Sequence, residues 1–346
     1  MVSAGNTLNA RPGQGNRECS PDEGATERSP TSQRLGGLLG DKALHLLRIE
    51  VMNLAGFLAD RCRARCVATA LSVALCLGVL SGCSGPSEQQ EQVLRIIARG
   101  VAGDRWMATL PKAGSLAMRW VPATRFVMGS PPQEQGRLVD EPQHLVQLTS
   151  GFLIAETELT QRQWLAFMET NSSPNPGMDL PVTRVSWEQA REFCRRLTVQ
   201  QKEEGHLPKG WIWDLPTEAQ WELACRAGTP GAYAGELDRL AWHAGNSGGK
   251  VHPVGLREAN GLGLRDMHGN VAEWCVNWFS SYPTNIPVFV DPLGPIWSFA
   301  PTYRGGGFKS APAACRSAAR AAGVPGEAPN EALGFRLALR YRRETM

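Results

Sequence analysis

The sequence has almost no excess of charge of either sign. Residues 1–83 contain nine Lys/Arg and seven Asp/Glu, which leaves 27 basic against 26 acidic residues from residue 84 onward. Such a balance gives no electrostatic support for nucleic-acid binding. The 346 residues are 42% hydrophobic and 20% charged, which argues against a disordered chain, a collagen-like repeat and a coiled coil. We therefore expect a folded domain.

Several common functional motifs are also missing. The histidines lack a His-x-x-x-His spacing, and no glycine-rich stretch has the spacing of a phosphate-binding loop. We therefore expect neither a histidine metal site nor a nucleotide ligand. No internal repeat is visible, and the 37 glycines and 24 prolines predict abundant turns with little regular secondary structure.

A long hydrophobic run is absent, but a short one is present. Residues 67–80 form an apolar stretch of about 14 residues, too short to span a bilayer comfortably. Three arginines between residues 61 and 65 precede it, and Ser-Gly-Cys83 follows. This pattern predicts a secretory signal whose end resembles a bacterial lipobox, with Cys83 as the lipidated residue. Conventional cleavage near Gly82 and a buried helix are the alternatives.

The signal lies about 50 residues after the first methionine, although a signal begins near the start of a chain. We expect translation to start at Met52 and the mature protein to be exported and lipid-anchored at the bacterial cell envelope. The membrane, through the lipid on Cys83, is then one partner. The predicted divisions are a non-structural extension (1–51), a signal peptide with lipobox (52–82), a lipid anchor and partly mobile tether (83–117), and a folded domain (118–342).

Four cysteines follow the proposed anchor, and an oxidising exterior permits disulfides among them. Cys225, Cys275 and Cys315 are candidates for a disulfide, but the sequence does not choose a pairing. Cys194 lies on a predicted buried helix face and is interpreted as a small core residue.

Three helix starts share a capping box, in which Thr or Ser is followed three residues later by Gln. These pairs are Thr160/Gln163, Ser186/Gln189 and Thr217/Gln220. Apolar residues then recur at helical spacing, which predicts one buried face for each helix. A strand or a hairpin is expected near residues 118–130, further short strands near 144–149 and 151–156, and irregular loops with short strands beyond residue 228. The sequence thus predicts a single α+β domain.

An ordered series of motifs resembles the formylglycine-generating enzyme, or sulfatase-modifying factor, family across residues 118–342. The motifs include FVMGS (126–130), ELT (158–160), PVTRVSW (181–187), LPTEAQWE (215–222), GLRDMHGNVAEW (263–274), RGG (304–306) and GFR (334–336). The resemblance implies a C-type-lectin-like fold. Enzymes of this family oxidise a sulfatase cysteine to formylglycine, using dioxygen and copper held by two cysteines.

The chain departs from the family pattern at the copper site. Ser310 stands at the first cysteine position and Cys315 at the second, so one thiol of the pair is missing. Copper(I) favours thiolates, and a serine hydroxyl is a poor substitute. Gly307 replaces a usual Ser, and Ala272 replaces a usual Trp. The sequence favours a binding or accessory module, with the copper-dependent oxidase as the alternative. Cys315 is either a remnant metal ligand or a disulfide partner.

The resemblance also implies a calcium site formed by Asp266, Gly269, Val271 and Glu273, whose oxygens suit Ca²⁺. The alternative is that the two carboxylates cap turns or pair with arginines. An exported protein or a glycan is the expected ligand. Seven tryptophans are candidates either for a ligand groove or for core packing: Trp211, Trp213, Trp221, Trp242, Trp274, Trp278 and Trp297.

Overall fold

The computed structural model describes residues 85–282, 286–323 and 330–342. The predicted extension, signal peptide and Cys83 lie outside these residues. Within them, no helix combines the length and apolarity needed to cross a membrane.

The strands of the described residues form three sheets. They are β1 (Arg105–Leu110), β2 (Gly114–Val121), β3 (Thr124–Met128), β4 (His144–Leu148), β5 (Phe152–Ala155), β6 (Trp211–Asp214), β7 (Ala272–Trp278), β8 (Phe289–Val290), β9 (Pro301–Arg304), β10 (Arg320–Ala322), β11 (Leu333–Gly334) and β12 (Ala338–Tyr341). The sheet orders are β1-β2-β5-β12-β6, β10-β9-β7-β11 and β3-β4-β8. The first sheet is antiparallel throughout.

Five helices connect these strands in the described part of the chain. They are α1 (Glu88–Arg99), α2 (Gln161–Leu165), α3 (Trp187–Glu203), α4 (Glu218–Arg226) and α5 (Leu237–Leu240). All three predicted capping boxes are present, with both reciprocal hydrogen bonds formed at the starts of α2, α3 and α4. The mixed α+β class with short elements is therefore confirmed.

Two hydrophobic clusters form the core. The first packs α1, α2 and α3 against the five-stranded sheet, where the Trp106 and Trp213 rings stack with centroids 6.0 Å apart. The second surrounds α4 and contains the fully buried Trp221. Both clusters use residues between Val93 and Leu339 only. A chain of residues 84–346 therefore retains every residue of both cores.

The expected tether before residue 118 is instead part of this core. Val93 of α1 and Trp106 of β1 are buried, and the Gln89 side-chain amide donates to Gln201 Oε1 at 2.9 Å. The prediction of a tether was wrong because the apolar residues of α1 share one face, and that face packs on the sheet. The folded part begins at the N-cap of α1, Ser87.

Burial of α4 also differs from the expectation of a single buried face. Every residue of this helix is buried, including the charged Glu218, Glu222 and Arg226. Helix α3, in contrast, buries Phe193 and Leu197 and exposes a polar face, as its pattern predicts.

The strands on either side of residue 122, β2 and β3, belong to different sheets, so they do not form a hairpin.

Candidate functional site

A cleft of about 390 Å³ opens beside the turn that follows β9. Gly305, Gly306 and Gly307 form one wall, and the 3-10 helix Pro312–Cys315 runs along another. The lining is dominated by small residues, and among the lining residues Tyr303 alone is aromatic. The cleft is thus a shallow, small-residue surface rather than a tryptophan-lined groove.

The glycines of this turn are required by geometry. Gly306 has a φ of +64°, and a Cβ there would lie 2.8 Å from both the Ala314 carbonyl oxygen and Cys315 Sγ. A Cβ on Gly307 would lie 2.9 Å from the Ala332 Cβ. Close backbone approach therefore shapes this wall of the cleft.

Ser310 closes the turn with its own hydrogen bonds. Its Oγ accepts a bond from the Gly307 amide at 2.9 Å, and its carbonyl oxygen accepts one from the Ala244 amide at 2.9 Å. The hydroxyl lines the cleft while it caps the glycine turn. Its position is set by this turn and not by a neighbouring thiol.

Cys315 lies behind the cleft wall and is completely buried. Its Sγ contacts the Ala311 carbonyl oxygen at 3.8 Å. Burial raises the pKa of this thiol to about 12. The thiol of the metal-free chain is therefore protonated at neutral pH, which is the wrong state for a nucleophile.

The residues around Asp266 form a buried charged cluster. Both carboxylate oxygens of Glu273 accept bonds from the Arg336 guanidinium at 2.6 Å, and Trp221 Nε1 donates to Glu273 Oε2 at 2.7 Å. Asp266 Oδ2 accepts a bond from the Gly255 amide at 2.6 Å. Glu273 is thus held by a bidentate arginine pair.

Two carboxylate oxygens in this cluster are buried without a hydrogen-bond partner, Glu158 Oε2 and Asp266 Oδ1. Burial raises the pKa of Asp266 to about 6. Burial, and then the charge of Asp266, raises the pKa of Glu158 well above its usual value. Three acidic side chains, Glu158, Asp266 and Glu273, thus surround one arginine, Arg336, in this buried site.

Three arginines that line the cleft, Arg304, Arg316 and Arg320, are each paired with a carboxylate. Arg316 makes two bonds to Glu141, at 2.7 and 2.8 Å, and Arg320 makes two bonds to Glu218, at 2.7 and 2.9 Å. Arg304 pairs with Glu222. These pairs are structural, because every guanidinium already has a carboxylate partner.

Comparison with known proteins assigns the domain. The family model of the sulfatase-modifying factor enzyme 1-like domain matches residues 107–341. The chain belongs to this family. Its motif series, identified from sequence as that of a formylglycine-generating enzyme relative, is confirmed.

Named relatives in the family have different descriptions. A chaperone protein LppX of Paenibacillus barcinonensis is 32% identical over 178 residues, covering 38% of this chain and 64% of the relative. A formylglycine-generating enzyme of Streptomyces coelicolor is 34% identical over 180 residues, covering 46% and 52%. A serine/threonine-protein kinase pkn1 of Chlamydia caviae is 29% identical over 238 residues, covering 64% and 37%. The chain thus spans between about a third and two thirds of the length of each of these relatives.

Solved structures support the same fold. Treponema denticola variable protein 1 superposes with a TM-score of 0.61 at 29% identity, covering 68% of this chain and 99% of that one. PvdO from Pseudomonas aeruginosa superposes with a TM-score of 0.60 at 23% identity, covering 69% and 98%. At that identity the second likeness is evidence for the fold alone.

The family's copper pair does not fit the donors in this chain. The first position is the turn-capping Ser310, and the second is Cys315, which is buried and is not among the residues that line the cleft. Copper(I) favours soft thiolate ligands, and the serine hydroxyl supplies none, so one thiol of the pair is missing. The usual Ser at position 307 is also excluded, because its Cβ would contact Ala332.

The expected disulfide is absent. Cys194, Cys225, Cys275 and Cys315 are all free and buried, so no described cysteine is in a disulfide. Cys225 Sγ instead lies 3.6 Å from His268 Nε2 and 3.6 Å from Ser317 Oγ. Burial raises the pKa of Cys225 to about 12, which makes it an inert core thiol.

The expected calcium ligands have other partners in this structure. Arg336 bonds both oxygens of Glu273 and so competes with a cation for this carboxylate. The alternative, in which Glu273 pairs with an arginine, is what the structure contains. Asp266 keeps one unpartnered oxygen, but the described residues contain no cluster of three acidic, histidine or cysteine side chains arranged for a metal.

Most of the candidate tryptophans pack in the interior. Trp211, Trp213, Trp221 and Trp274 are buried, so core packing is the correct interpretation for these four rings. Trp297 is the opposite case, with an exposed fraction of 74%.

Sequence reasoning missed the buried arginine pairs. Glu218 and Glu222 lie in the conspicuous LPTEAQWE motif, but their periodicity is that of an ordinary surface helix. The available signal was the arginines before and after the cleft glycines, Arg304, Arg316 and Arg320, but a single sequence does not identify their partners.

Proposed function

We propose that this protein is an exported binding or accessory module that uses the cleft beside Gly305–Gly307 without oxidising its ligand. The observation that carries the proposal is the chemistry of the copper positions. Ser310 caps a turn, and Cys315 is buried and does not line the cleft. A two-thiolate copper site requires two deprotonated thiols facing the same space.

A segment of an exported protein is the ligand that we propose. Glycines and alanines line the cleft, and small residues allow the close approach of an extended backbone. Ala272 lines the cleft where the family's enzymes carry a Trp, so that ring does not obstruct this space. The relative named as a chaperone supports a protein ligand over a glycan, since a chaperone handles polypeptides.

We further propose that lipidation of Cys83 anchors the protein to the bacterial cell envelope. The lipobox pattern supports this proposal. Globomycin sensitivity and a mass increase corresponding to a lipid on Cys83, both lost in Cys83→Ser, would be the expected results. Export without a lipid would contradict it.

The decisive experiment for the cleft combines two measurements on residues 84–346. First, a Cys-x-Pro-x-Arg peptide is incubated with the domain, copper and air, beside an active formylglycine-generating enzyme, and analysed by mass spectrometry. We expect no aldehyde product. Conversion of the thiol would establish an oxidase and overturn the proposal.

Second, binding of the same peptide is measured by fluorescence anisotropy. Ala311→Trp places a ring at an exposed position of the cleft lining and should weaken binding at least about tenfold by occupying the space. Ala102→Trp adds the same ring at an exposed alanine outside the cleft and should have no effect. Equal binding by both variants would rule out the cleft as the site.

The oxidase is the alternative function. It is favoured by the retained cysteine at the second position and by the relatives named formylglycine-generating enzymes. Ser310→Cys is the direct probe, because it restores a thiol to the first position. If this variant binds copper and wild type does not, the result favours a binding module that has lost its copper site over the oxidase.

A further inference from the structure

One segment of the domain exposes an unusual number of large apolar side chains. We call residues 286–299 the apolar loop. Its exposed side chains, with their exposed fractions, are Ile286 (47%), Val290 (56%), Leu293 (59%), Ile296 (101%), Trp297 (74%) and Phe299 (64%). Isolated exposed hydrophobic residues are normal, but six in one short segment indicate an interaction surface.

The apolar loop contains one charged residue. Asp291 is exposed, and Oδ1 of its carboxylate accepts a bond from the Thr149 amide at 2.8 Å while Oδ2 accepts one from the Thr149 hydroxyl. The loop also contains three prolines, at positions 287, 292 and 295. Each proline removes a backbone donor that would cost free energy to desolvate. This composition suits an apolar environment better than a polar protein surface.

Hydrogen bonds fix the loop on the domain. Strand β8 pairs with β4, the Asp291 amide donates to the Gln147 carbonyl oxygen at 2.9 Å, and the Phe279 amide donates to the Ala300 carbonyl oxygen at 2.8 Å. The Trp297 ring lies 6.4 Å from the Trp278 ring. The loop is therefore fixed to the domain at both ends, and little further ordering of its backbone is needed for contact.

The start of the folded domain lies near the proposed lipid anchor. Ser87, the N-cap of α1, follows Cys83 by four residues, at most about 14 Å of extended chain. Its hydroxyl donates to the Gly205 carbonyl oxygen at 2.9 Å. A lipid on Cys83 would thus keep this end of the domain close to the bilayer surface.

A series of contacts connects the Ser87 end of the domain to the apolar loop. Five residues after Gly205, the Gly210 carbonyl oxygen accepts a bond from the Arg342 amide at 2.8 Å. Arg342 and Ile296 line one hollow of about 460 Å³. An exposed cationic side chain next to apolar tips is a typical arrangement at a phospholipid interface.

We propose that the apolar loop inserts its side chains into the interfacial region of a phospholipid bilayer and gives the domain a second membrane contact beside the Cys83 lipid. The apolar tips enter the boundary between headgroups and acyl chains, and Arg342 remains at the level of the phosphates. This contact fixes the orientation of the cleft relative to the membrane, which a flexible lipid tether alone does not do.

The test uses residues 84–346, which lack both the lipid and the signal peptide, with vesicles of phosphatidylcholine and phosphatidylglycerol. We expect wild type to sediment with the vesicles. The triple variant Ile296→Ser, Trp297→Ser and Phe299→Ser should lose at least about tenfold in partitioning, because three apolar side chains no longer enter the bilayer. Val139→Ser is the matched control, since Val139 is 88% exposed and lies outside the loop.

A second measurement reports insertion directly. Brominated phosphatidylcholine quenches tryptophan fluorescence at short range, so vesicles containing it should quench wild type. Trp297→Phe should bind the vesicles as wild type does but lose most of this quenching. Wild type that stays in the supernatant, equal partitioning of the triple serine variant, or unchanged quenching in Trp297→Phe would each overturn the proposal. Ala311→Trp should not alter partitioning, which separates this surface from the cleft.

Discussion

Helices α3 and α4 begin with the same capping box and have different surroundings. In α3, Glu192 is on the surface and bonds Arg195 and Arg196 of the same helix. In α4, Glu222 is fully buried and bonds Arg304 from β9 and Arg226. The capping box thus specifies where a helix starts, whereas the partners of its charges depend on residues distant in sequence.

The two glutamates also differ in what controls their charge. At Glu192, hydrogen bonds from Arg195 and Arg196 lower the pKa to about 2 in an exposed setting. At Glu222, burial raises the pKa, but the charges of Arg304 and Arg226 outweigh burial and lower it overall. A buried charge depends on its partners far more than an exposed one, because water does not replace them.

The largest expected effect follows from breaking the buried pair. Glu222→Gln should reduce the free energy of unfolding by about 3–5 kcal/mol, because Arg304 is left without its full counter-charge in the interior. Urea unfolding followed by circular dichroism measures the change. Glu192→Gln on α3 is the matched control and should leave the midpoint unchanged. If both variants lost a similar free energy of unfolding, the contribution of a glutamate would not depend on its burial.

The next effect concerns His268, which contacts Cys225 of α4. Its Nδ1 donates to the Cys315 carbonyl oxygen at 2.7 Å, and its Nε2 accepts from the Ala234 amide at 3.2 Å. Burial lowers the pKa of His268 to about 4. Below its ordinary pKa of 6.5 the unfolded chain therefore binds a proton that the folded chain does not.

Stability should consequently fall as the pH is lowered from about 6.5 to 4, by up to about 3 kcal/mol from this group. His268→Asn should unfold more easily at neutral pH, because the Ala234 amide loses its acceptor, but it should show a flatter decline with acid. His206→Asn, at a half-buried loop position, is the control. Parallel pH profiles for His268→Asn and wild type would contradict the role of His268. Thermal unfolding across this pH range supplies the data.

The sequence predicted the helix starts and the mixed α+β class because both depend on local patterns. The Thr217/Gln220 cap needs only residues three apart, and the RGG turn needs only adjacent glycines. The pairing of Glu273 with Arg336 joins residues 63 apart. From the sequence, calcium and an arginine are both possible partners of the Glu273 carboxylate, and nothing local decides between them.

The same distinction explains the error before residue 118. Helix α1 has a polar composition, and its Val93 and Ile96 are buried only because β1 and β2 are present to cover them. The sequence of this segment alone does not distinguish a helix that packs on a sheet from a mobile linker. Burial is thus a property of the assembled core, whereas capping is a property of the segment itself.

The smallest effect sharpens the comparison of the two helix starts. Ser186→Ala and Thr217→Ala each remove the side-chain acceptor for the Gln189 or Gln220 amide, at 3.2 and 3.1 Å. We expect a loss of about 1 kcal/mol for Ser186→Ala and up to about 2 kcal/mol for Thr217→Ala. Water can reach the half-buried cap of α3, but Thr217 is 5% exposed, so the unsatisfied amide at α4 remains buried. Equal losses, measured by urea unfolding, would show that cap strength is independent of burial.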